Sequence, residues 1–233
     1  MIKIIDLCLL IDDSVLVISD IHIGYEEALN KEGILIPRLQ FRDISKRLEK
    51  ILGSKKFKKI IVNGDLKHEF GEISKQEWRH SLLLLDLLAK HAEKIILIRG
   101  NHDTILGPIA KTKNIEIVDK VKIKDILITH GHKAIKEDSL KNIKTIIIGH
   151  EHPAISIREG ARAERFKCFL YGEYKKRKLI VMPSFNPIIE GTDVTKEKLL
   201  SPFIKDIENF RAIAISDEGE AFDFGKIKEI RNV

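Results

Sequence analysis

Aspartate, asparagine and histidine residues occur in five short clusters, each directly after an apolar run typical of a β-strand. In chain order, the clusters are Asp20-Ile21-His22, Gly64-Asp65, Gly100-Asn101-His102-Asp103, Thr129-His130-Gly131-His132 and Gly149-His150-Glu151-His152. Ligands of open α/β sheets bind outside the carboxyl ends of the strands. One histidine at a strand end carries little information, whereas five ordered clusters predict a shared site at one rim of the fold.

The residue types in these clusters suit a catalytic metal site. Asp, Asn and His supply oxygen and imidazole donors without thiolate, a set that favours Mn²⁺, Fe or Zn²⁺. Asp20 and His22 lie two positions apart, so on an extended segment both side chains leave the same face, and His150 and His152 repeat that spacing. The donors suffice for two ions, and two ions roughly 3.5–4 Å apart are a common device for hydrolysing phosphoryl esters.

Alternating elements are expected to position the first three clusters. Apolar runs predict strands over Val15–Ser19, Lys59–Asn63 and Lys94–Ile98, and helical spacing of apolar side chains predicts helices over Arg38–Leu52 and Gln76–His91. This order of strands and helices implies right-handed crossovers and a parallel sheet.

The second half of the chain has shorter β-like runs with fewer helical patterns between them. The runs are Ile115–Val118, Ile126–Thr129, Thr145–Ile148, Lys167–Leu170, Leu179–Met182 and Arg211–Ile215. They predict a second, mixed or antiparallel sheet packed on the first. Because the two halves are expected to share one core, we predict a single α/β domain over residues 1–233.

Composition excludes several classes of protein. The 233 residues are 43% hydrophobic and 33% charged, which allows a substantial core and a charged surface. No apolar run reaches the roughly 18 residues of a membrane span, and Asp6, Asp12 and Asp13 interrupt the N-terminal apolar segment, unlike in a signal peptide. Cys8 and Cys168 are too few for a disulfide framework or a thiolate metal site. We expect both to be buried and reduced, and the protein to be cytoplasmic with no membrane partner.

The net charge of +6 has two interpretations. A basic balance favours anionic partners such as nucleic acid or phosphate esters. A surface rich in lysine and glutamate gives the same balance without any binding role. Aromatic residues make up only 6% of the chain, which argues against a base-stacking platform for single strands as the main activity.

The ordered clusters resemble the signature of the calcineurin-like metallophosphoesterases, DxH…GD…GNHD…H…GHxH, over residues 20–152. The resemblance implies a four-layer α/β/β/α sandwich, with two packed mixed sheets flanked by helices, and a centre of two divalent ions. For the first ion it implies the ligands Asp20, His22, Asp65 and His152. For the second ion it implies Asp65 as the bridge, together with Asn101, His130 and His150. His102 would contact the substrate phosphate and protonate the leaving oxygen, with Asp103 as its orienting partner.

Longer segments are similar to a narrower branch of that family, the PdeM or Lhr-helicase-associated phosphoesterases. These segments are Ser19–Ala28, Gly33–Pro37, Gly64–Phe70 and Pro183–Pro187. Members of the branch accompany DNA helicases and ligases, so the resemblance implies a helicase or ligase partner and a link to DNA repair or processing.

Other polar residues near the clusters have two interpretations each. Lys67 and His68 either reach a substrate phosphate or lie on a loop surface. We expect His132 to be a neighbour of the ligand His130. Arg99 is expected in an ion pair at the sheet end rather than on a phosphate. The basic run 175–178 either steers a nucleic-acid backbone or is a solvated hairpin tip.

The leading functional hypothesis is a metal-dependent phosphodiesterase acting on nucleic acid or a nucleotide-derived diester. Mn²⁺ is the expected metal, with Fe, Zn²⁺ and Ni²⁺ as alternatives. One alternative function is hydrolysis of small phosphomonoesters or cyclic nucleotides by the same core. The other is a non-catalytic docking subunit for a DNA helicase, which would have no need of the complete set of metal ligands.

Overall fold

The computed structural model describes residues 1–69, 74–103, 106, 115–160 and 162–230, which form two β-sheets and several helices. The strands are β1 (Ile2–Ile5), β2 (Cys8–Ile11), β3 (Val15–Ser19), β4 (Phe57–Asn63), β5 (Ala92–Ile98), β6 (Glu116–Val118), β7 (Lys120–Ile123), β8 (Ile126–Thr129), β9 (Thr145–Ile148), β10 (Pro153–Glu159), β11 (Arg162–Tyr174), β12 (Arg177–Val181), β13 (Thr192–Asp193), β14 (Arg211–Ile215) and β15 (Ala221–Lys226). The helices are α1 (Tyr25–Lys31), α2 (Gln40–Leu52), α3 (Lys75–Ala89) and α4 (Ile227–Ile230), with a 3-10 helix at Glu137–Leu140.

The first sheet contains β1 to β6 in chain order. Strands β1 to β3 are antiparallel, and β3 to β6 are parallel. The predicted strands β3, β4 and β5 are confirmed, and Ser19, Asn63 and Ile98 stand side by side in register at their ends. Because these ends are aligned, the three polar clusters that follow them start from the same edge of the sheet.

Two amphipathic helices pack on the first sheet, within two residues of their predicted bounds. Helix α2 buries Ile44 and Leu48, and α3 buries Leu84 and Leu88, at the spacing of one helical face. The α3 N-terminus is capped by Ser74, whose hydroxyl oxygen accepts a hydrogen bond from the Glu77 N–H.

The second sheet is mixed and has the strand order β13-β10-β11-β12-β9-β8-β7, with β14 paired to β11 and β15 paired to β14. Its neighbouring strands β8, β9 and β12 are parallel. The ends of β8 and β9 therefore carry the last two polar clusters from adjacent positions, as the sequence predicted.

Side-chain alternation in the second sheet separates two cores. Ile147 packs in the core that also contains Ile18 and Ile61 of the first sheet. Its neighbours Ile146 and Ile148 pack in a second core on the opposite face. That outer core is covered by side chains of the 3-10 helix, of loops and of α4, namely Leu140, Val194, Leu199, Phe203, Phe210 and Ile227. The predicted α/β fold of two packed mixed sheets flanked by helices is confirmed, and its fourth layer consists mainly of short helices and loops.

One predicted strand belongs to the other sheet. The run Ile115–Val118 was expected in the second sheet, but β6 pairs in parallel with β5 and extends the first. A short apolar run predicts a strand without specifying its partner.

Several elements were missed because their runs are short or polar, namely β1, β2, β7, β10, β13, β15 and α1. No helix among the described residues is long and apolar enough to cross a membrane.

Candidate metal centre

Two groups of ligand-type side chains form where the strand ends of the two sheets meet. The first group is Asp20, His22 and His152, and the second is Asp65, His130 and His150. Within each group, the candidate ligand atoms lie within 4.8 Å of one another. Each group matches one of the two expected ligand sets with one residue missing. The first group lacks the bridging residue Asp65, and the second lacks Asn101.

Two carboxylates connect the groups. Asp65 Oδ2 lies 3.4 Å from His130 Nε2 and 3.7 Å from His22 Nε2, so it faces both groups. Asp20 Oδ1 lies 3.4 Å from His152 Nε2 and 2.9 Å from His130 Nε2. Of these five residues, all but His152 are at most 2% exposed. The centre therefore holds two buried carboxylates between imidazoles, and Asp20 joins Asp65 in facing both groups.

The amide oxygen of Asn101 supports the fit of a metal ion. Asn101 Oδ1 is buried and has no hydrogen-bond partner among the described residues. An unpaired buried oxygen is costly unless a group outside the protein chain satisfies it. Oxygen and imidazole donors without thiolate are typical ligands of divalent first-row metals.

Burial keeps most of the imidazoles in the neutral form that can bind a metal. Desolvation lowers the pKa of His22 well below its usual range and, with His130 nearby, lowers the pKa of His150 to about 4. Burial would also lower the pKa of His130, but the hydrogen bond with Asp20 and the nearby carboxylates raise it. Burial raises the pKa of Asp65 despite the proximity of His130. Divalent cations would supply the positive charge that these buried carboxylates need.

Five of the expected ligands have left-handed backbone conformations. Asp20, His22, Asp65, His150 and His152 have φ between 43° and 71°. Such φ values are uncommon for residues other than glycine, and they occur at functional sites where the surrounding structure enforces them. The expectation that Asp20 and His22, and likewise His150 and His152, lie on extended segments is therefore wrong. These backbone turns, rather than strand alternation, direct the side chains towards the centre.

Three residues that sequence reasoning did not assign hold the turn from Asp20 to His22. Ser184 Oγ donates to the Asp20 carbonyl over 2.7 Å. The His22 carbonyl accepts from Gln40 Nε2 at 2.8 Å and from Asn186 Nδ2 at 3.3 Å. Ser184 and Asn186 lie in the segment Pro183–Pro187, which the sequence marked only as a resemblance to a branch of the family.

The glycines that precede the ligands allow close approach between strand ends. A Cβ at Gly100 would collide with Asp65 Oδ1 and its backbone nitrogen. A Cβ at Gly149 would collide with Ser19 Oγ and Asp20 Oδ2. These contacts give a steric reason for the glycines in the GNHD and GHxH motifs.

His102 is held beside the centre by the loop that contains His68. Its Nδ1 contacts the His68 carbonyl oxygen, and its Nε2 lies 4.0 Å from Asp65 Oδ2. The imidazole rings of His68 and His102 stack with their centroids 5.2 Å apart. Instead of a surface position, the His68 side chain joins His22 and His102 in a third group of ligand-type side chains.

The Asp103 carboxylate contacts backbone groups. It accepts hydrogen bonds from the N–H groups of Gly100 at 2.9 Å and Leu66 at 3.1 Å. These bonds tie the turn that carries His102 to the loop after β4. The role of Asp103 as the orienting partner of His102 stays a prediction. Lys67 is fully buried and donates to the His102 carbonyl, so the loop-surface alternative is wrong for this residue.

Three further predictions concern His132, Arg99 and the basic run 175–178. His132 is a neighbour of His130, with their Nδ1 atoms 3.0 Å apart. Arg99 forms the expected ion pair at the sheet end, 2.7 Å from Asp119. The basic run 175–178 includes a hairpin turn between β11 and β12, where Lys175 pairs with Glu137 at 2.7 Å. Its alternative role in nucleic-acid binding has no support from its contacts.

The fold and the His/Asp centre together define a metal-dependent phosphoesterase. The family model for calcineurin-like phosphoesterases matches residues 14–213, and the chain belongs to that family. No curated protein matches the chain significantly.

Comparison with solved structures finds similar proteins at low sequence identity. The nuclease MPE of Pseudomonas putida is 20% identical with a TM-score of 0.66, over 95% of this chain and 93% of that one. A single mutant of Vps29 from Entamoeba histolytica is 16% identical with a TM-score of 0.40, over 91% of this chain and 99% of that one.

Proposed function

We propose that this chain is a dinuclear, metal-dependent phosphodiesterase that acts on nucleic acid or on nucleotide-derived diesters. The observation that carries the proposal is the pair of His/Asp groups connected by Asp65 and Asp20. The similar fold of a Pseudomonas nuclease and the net charge of +6 support nucleic acid as the substrate class.

In this proposal, each group holds one divalent ion. Asp20, His22, Asp65 and His152 would hold the first ion. Asp65, Asn101, His130 and His150 would hold the second. Bound ions would polarise the phosphoryl oxygens and offset the charge that develops during hydrolysis. Mn²⁺ is our proposed metal because the imidazole-rich set favours it over Mg²⁺, with Fe, Zn²⁺ or Ni²⁺ as alternatives.

His102 is the proposed proton donor. The His68 carbonyl can only accept a hydrogen bond, so the His102 nitrogen that contacts it, Nδ1, carries a proton. Nε2 is then the nitrogen that faces the centre, 4.0 Å from Asp65 Oδ2. A second proton held at Nε2 would contact the substrate phosphate and pass to the leaving oxygen. Asp103 would maintain this geometry by holding the turn.

A partnership with a DNA helicase or ligase, and a role in DNA repair or processing, are further parts of the proposal. They rest on the segments that resemble the PdeM or Lhr-helicase-associated branch. Residues of one of these segments, Ser184 and Asn186, support the metal centre itself. The cytoplasmic location also stays a prediction.

The test is an assay of metal-free protein reconstituted with Mn²⁺, Mg²⁺, Zn²⁺ or Ni²⁺. The substrates are a model diester, a monoester, single-stranded DNA and RNA. We expect hydrolysis of the diester and of at least one nucleic acid, strongest with Mn²⁺ and absent with chelator. Activity confined to the monoester would favour the small-ester alternative, and inactivity with every metal would favour the docking-subunit alternative.

A further inference from the structure

A basic cleft opens beside the second group of proposed ligands. Its volume is about 450 Å³, and we call it the Lys133 cleft. The lining residues that matter here are Arg99, Asp119, Lys120, Thr129, His132, Lys133 and Lys136. Four of these residues are cations and one is an acid. All four cations have exposed side chains.

The cleft is directly joined to the metal centre. Thr129 and His132 flank the proposed ligand His130, and the His132 and His130 Nδ1 atoms are 3.0 Å apart. The His132 and His150 ring centroids are 6.1 Å apart. On the other strand end, Arg99 lies two positions before Asn101. A phosphate chain whose reacting group occupies the centre would therefore reach these cations with its next segment.

The cations differ in the partners they have. Arg99 is paired with Asp119 at 2.7 Å, which neutralises the one acid among the described residues that line the cleft. Lys120 Nζ donates to the Ser139 hydroxyl at 2.6 Å and keeps its full charge. Lys133 and Lys136 have no ion pair among the described residues. Three lysines thus present uncompensated charge to an anion.

The opposite side of the centre has a different character. A pocket there touches His152 and is lined by Tyr25, Ile188, Ile189, Glu190, Gly191 and Thr192 as well. None of the described residues that line it is a lysine or arginine. Of the described residues that line these two pockets, the basic ones therefore all lie on the His130/His150 side of the centre.

We infer that the Lys133 cleft is a binding subsite for the sugar–phosphate backbone of a single nucleic-acid strand whose scissile phosphate lies in the metal centre. This inference rests on the proposed function and extends it from the reacting phosphate to the flanking strand. Lysines that neutralise backbone phosphates release counterions, so binding through the cleft weakens as salt increases. A small diester has no flanking phosphate and gains nothing from the cleft.

The test compares the double variant Lys133→Ala/Lys136→Ala with Lys55→Ala/Lys58→Ala. The control removes two exposed lysines at the start of β4, the end of the sheet opposite to the centre. Both double variants change the net charge equally.

The first readout is binding of labelled DNA and RNA strands of about 12 nucleotides, the length of an ordinary single-strand site. Binding is measured on the metal-loaded proteins over a range of salt concentrations, with strands whose phosphorothioate linkages resist hydrolysis. The second readout is hydrolysis of a small model diester by the metal-loaded proteins.

We expect the cleft variant to reduce the slope of log K against log salt by about 1.4, since each single-strand phosphate contact contributes about 0.7. Its strand affinity at low salt should fall at least about tenfold, and its small-diester kcat/KM should stay within about twofold of the wild type. The control should match the wild type in both readouts. Equal strand affinities for the two doubles, or an equal loss with the small diester, would overturn the inference. Failure of the wild type to hydrolyse any diester would instead count against the proposed function, because strand binding is measured separately.

Discussion

At the scale of single residues, His102 is held differently from the proposed ligands. Its Nδ1 is fixed by the His68 carbonyl, so its Nε2 faces the centre, 4.0 Å from Asp65 Oδ2. Its side chain is 15% exposed, so Nε2 can be reached from outside the centre. The orientation of His102 agrees with the proposed role of proton donor.

His102→Ala should therefore keep both metals and lose rate in a way that depends on the leaving group. We expect a fall of roughly 10²- to 10⁴-fold for a nucleic-acid diester, whose alkoxide leaving group needs a proton. The fall should be smaller for a nitrophenyl ester, whose leaving group needs little protonation. The measurement is the ratio of variant to wild-type kcat across esters of different leaving-group pKa, with metal content determined in parallel. A constant ratio would remove His102 from the role of proton donor.

At the scale of elements, the strand ends and the glycines that follow them determine where the ligand side chains can lie. Gly100→Ala should reduce metal content and activity because the new methyl group collides with Asp65. The matched control is Gly172→Ala on β11, where a Cβ would collide with the Phe210 ring in the outer core.

Both substitutions should lower the melting temperature, since overpacking typically costs about 1–3 kcal/mol. Only Gly100→Ala should lose metal at a temperature where both proteins are folded. Elemental analysis of the two folded proteins makes the comparison, and equal metal content would show that the approach of Gly100 to Asp65 has no special role.

The segment Pro183–Pro187 is anchored by a partly buried lysine of β11. Lys167 Nζ donates to the carbonyl oxygens of Ser184 and Asn186. Burial, and then the proximity of Arg47, lower the pKa of Lys167 from 10.5 to about 7. The unfolded chain therefore binds one more proton at this site than the folded chain between about pH 7 and 10.5, and folding stability rises with pH in that window.

Lys167→Met removes this titration, so the stability of the wild type relative to the variant should increase from about pH 7 to about pH 10. Urea denaturation of the metal-free proteins at several pH values measures the difference. A difference that stays constant or falls with pH would show that Lys167 is not held in a low-pKa environment.

The sequence was sufficient to predict the elements that carry the site, but not the conformation of their ends. Apolar runs and helical spacing correctly predicted β3, β4, β5, α2 and α3, because these elements bury continuous apolar surface. The partner of β6 could not be predicted, since an isolated apolar run does not specify a sheet. The left-handed turns at Asp20 and His22 depend on Gln40, Ser184 and Asn186, which are distant in sequence.

At the scale of the whole molecule, the centre lies between two sheets and connects them. Asp65 follows β4 of the first sheet, whereas His130 follows β8 of the second. Metal ions bound there would hold the two sheets together and bind the folded chain in preference to the unfolded one. Ligands of this kind stabilise by mass action, by about 2.7 kcal/mol at a concentration 100 times the Kd.

Metal removal should therefore lower the melting temperature of the wild type, and added Mn²⁺ should restore it in a concentration-dependent manner. Calorimetry with and without chelator measures this effect. The His102→Ala variant is the control, because it should show the same metal-dependent increase as the wild type while its activity is reduced. A melting temperature that is independent of metal in the wild type would argue against ions between the sheets.

The central claim is that Asp65 joins two metal ions in one centre, and the metal content of Asp65→Asn tests it most directly. The wild type, loaded with Mn²⁺ and freed of excess metal, should contain two ions per chain by elemental analysis. Asp65→Asn removes the shared charge, so both ions should fall well below full occupancy and hydrolysis should be abolished. His22→Ala, which removes a ligand from one group only, should have a milder effect on metal content. Two ions at full occupancy in folded Asp65→Asn would contradict the bridging role and, with it, the proposed organisation of the centre.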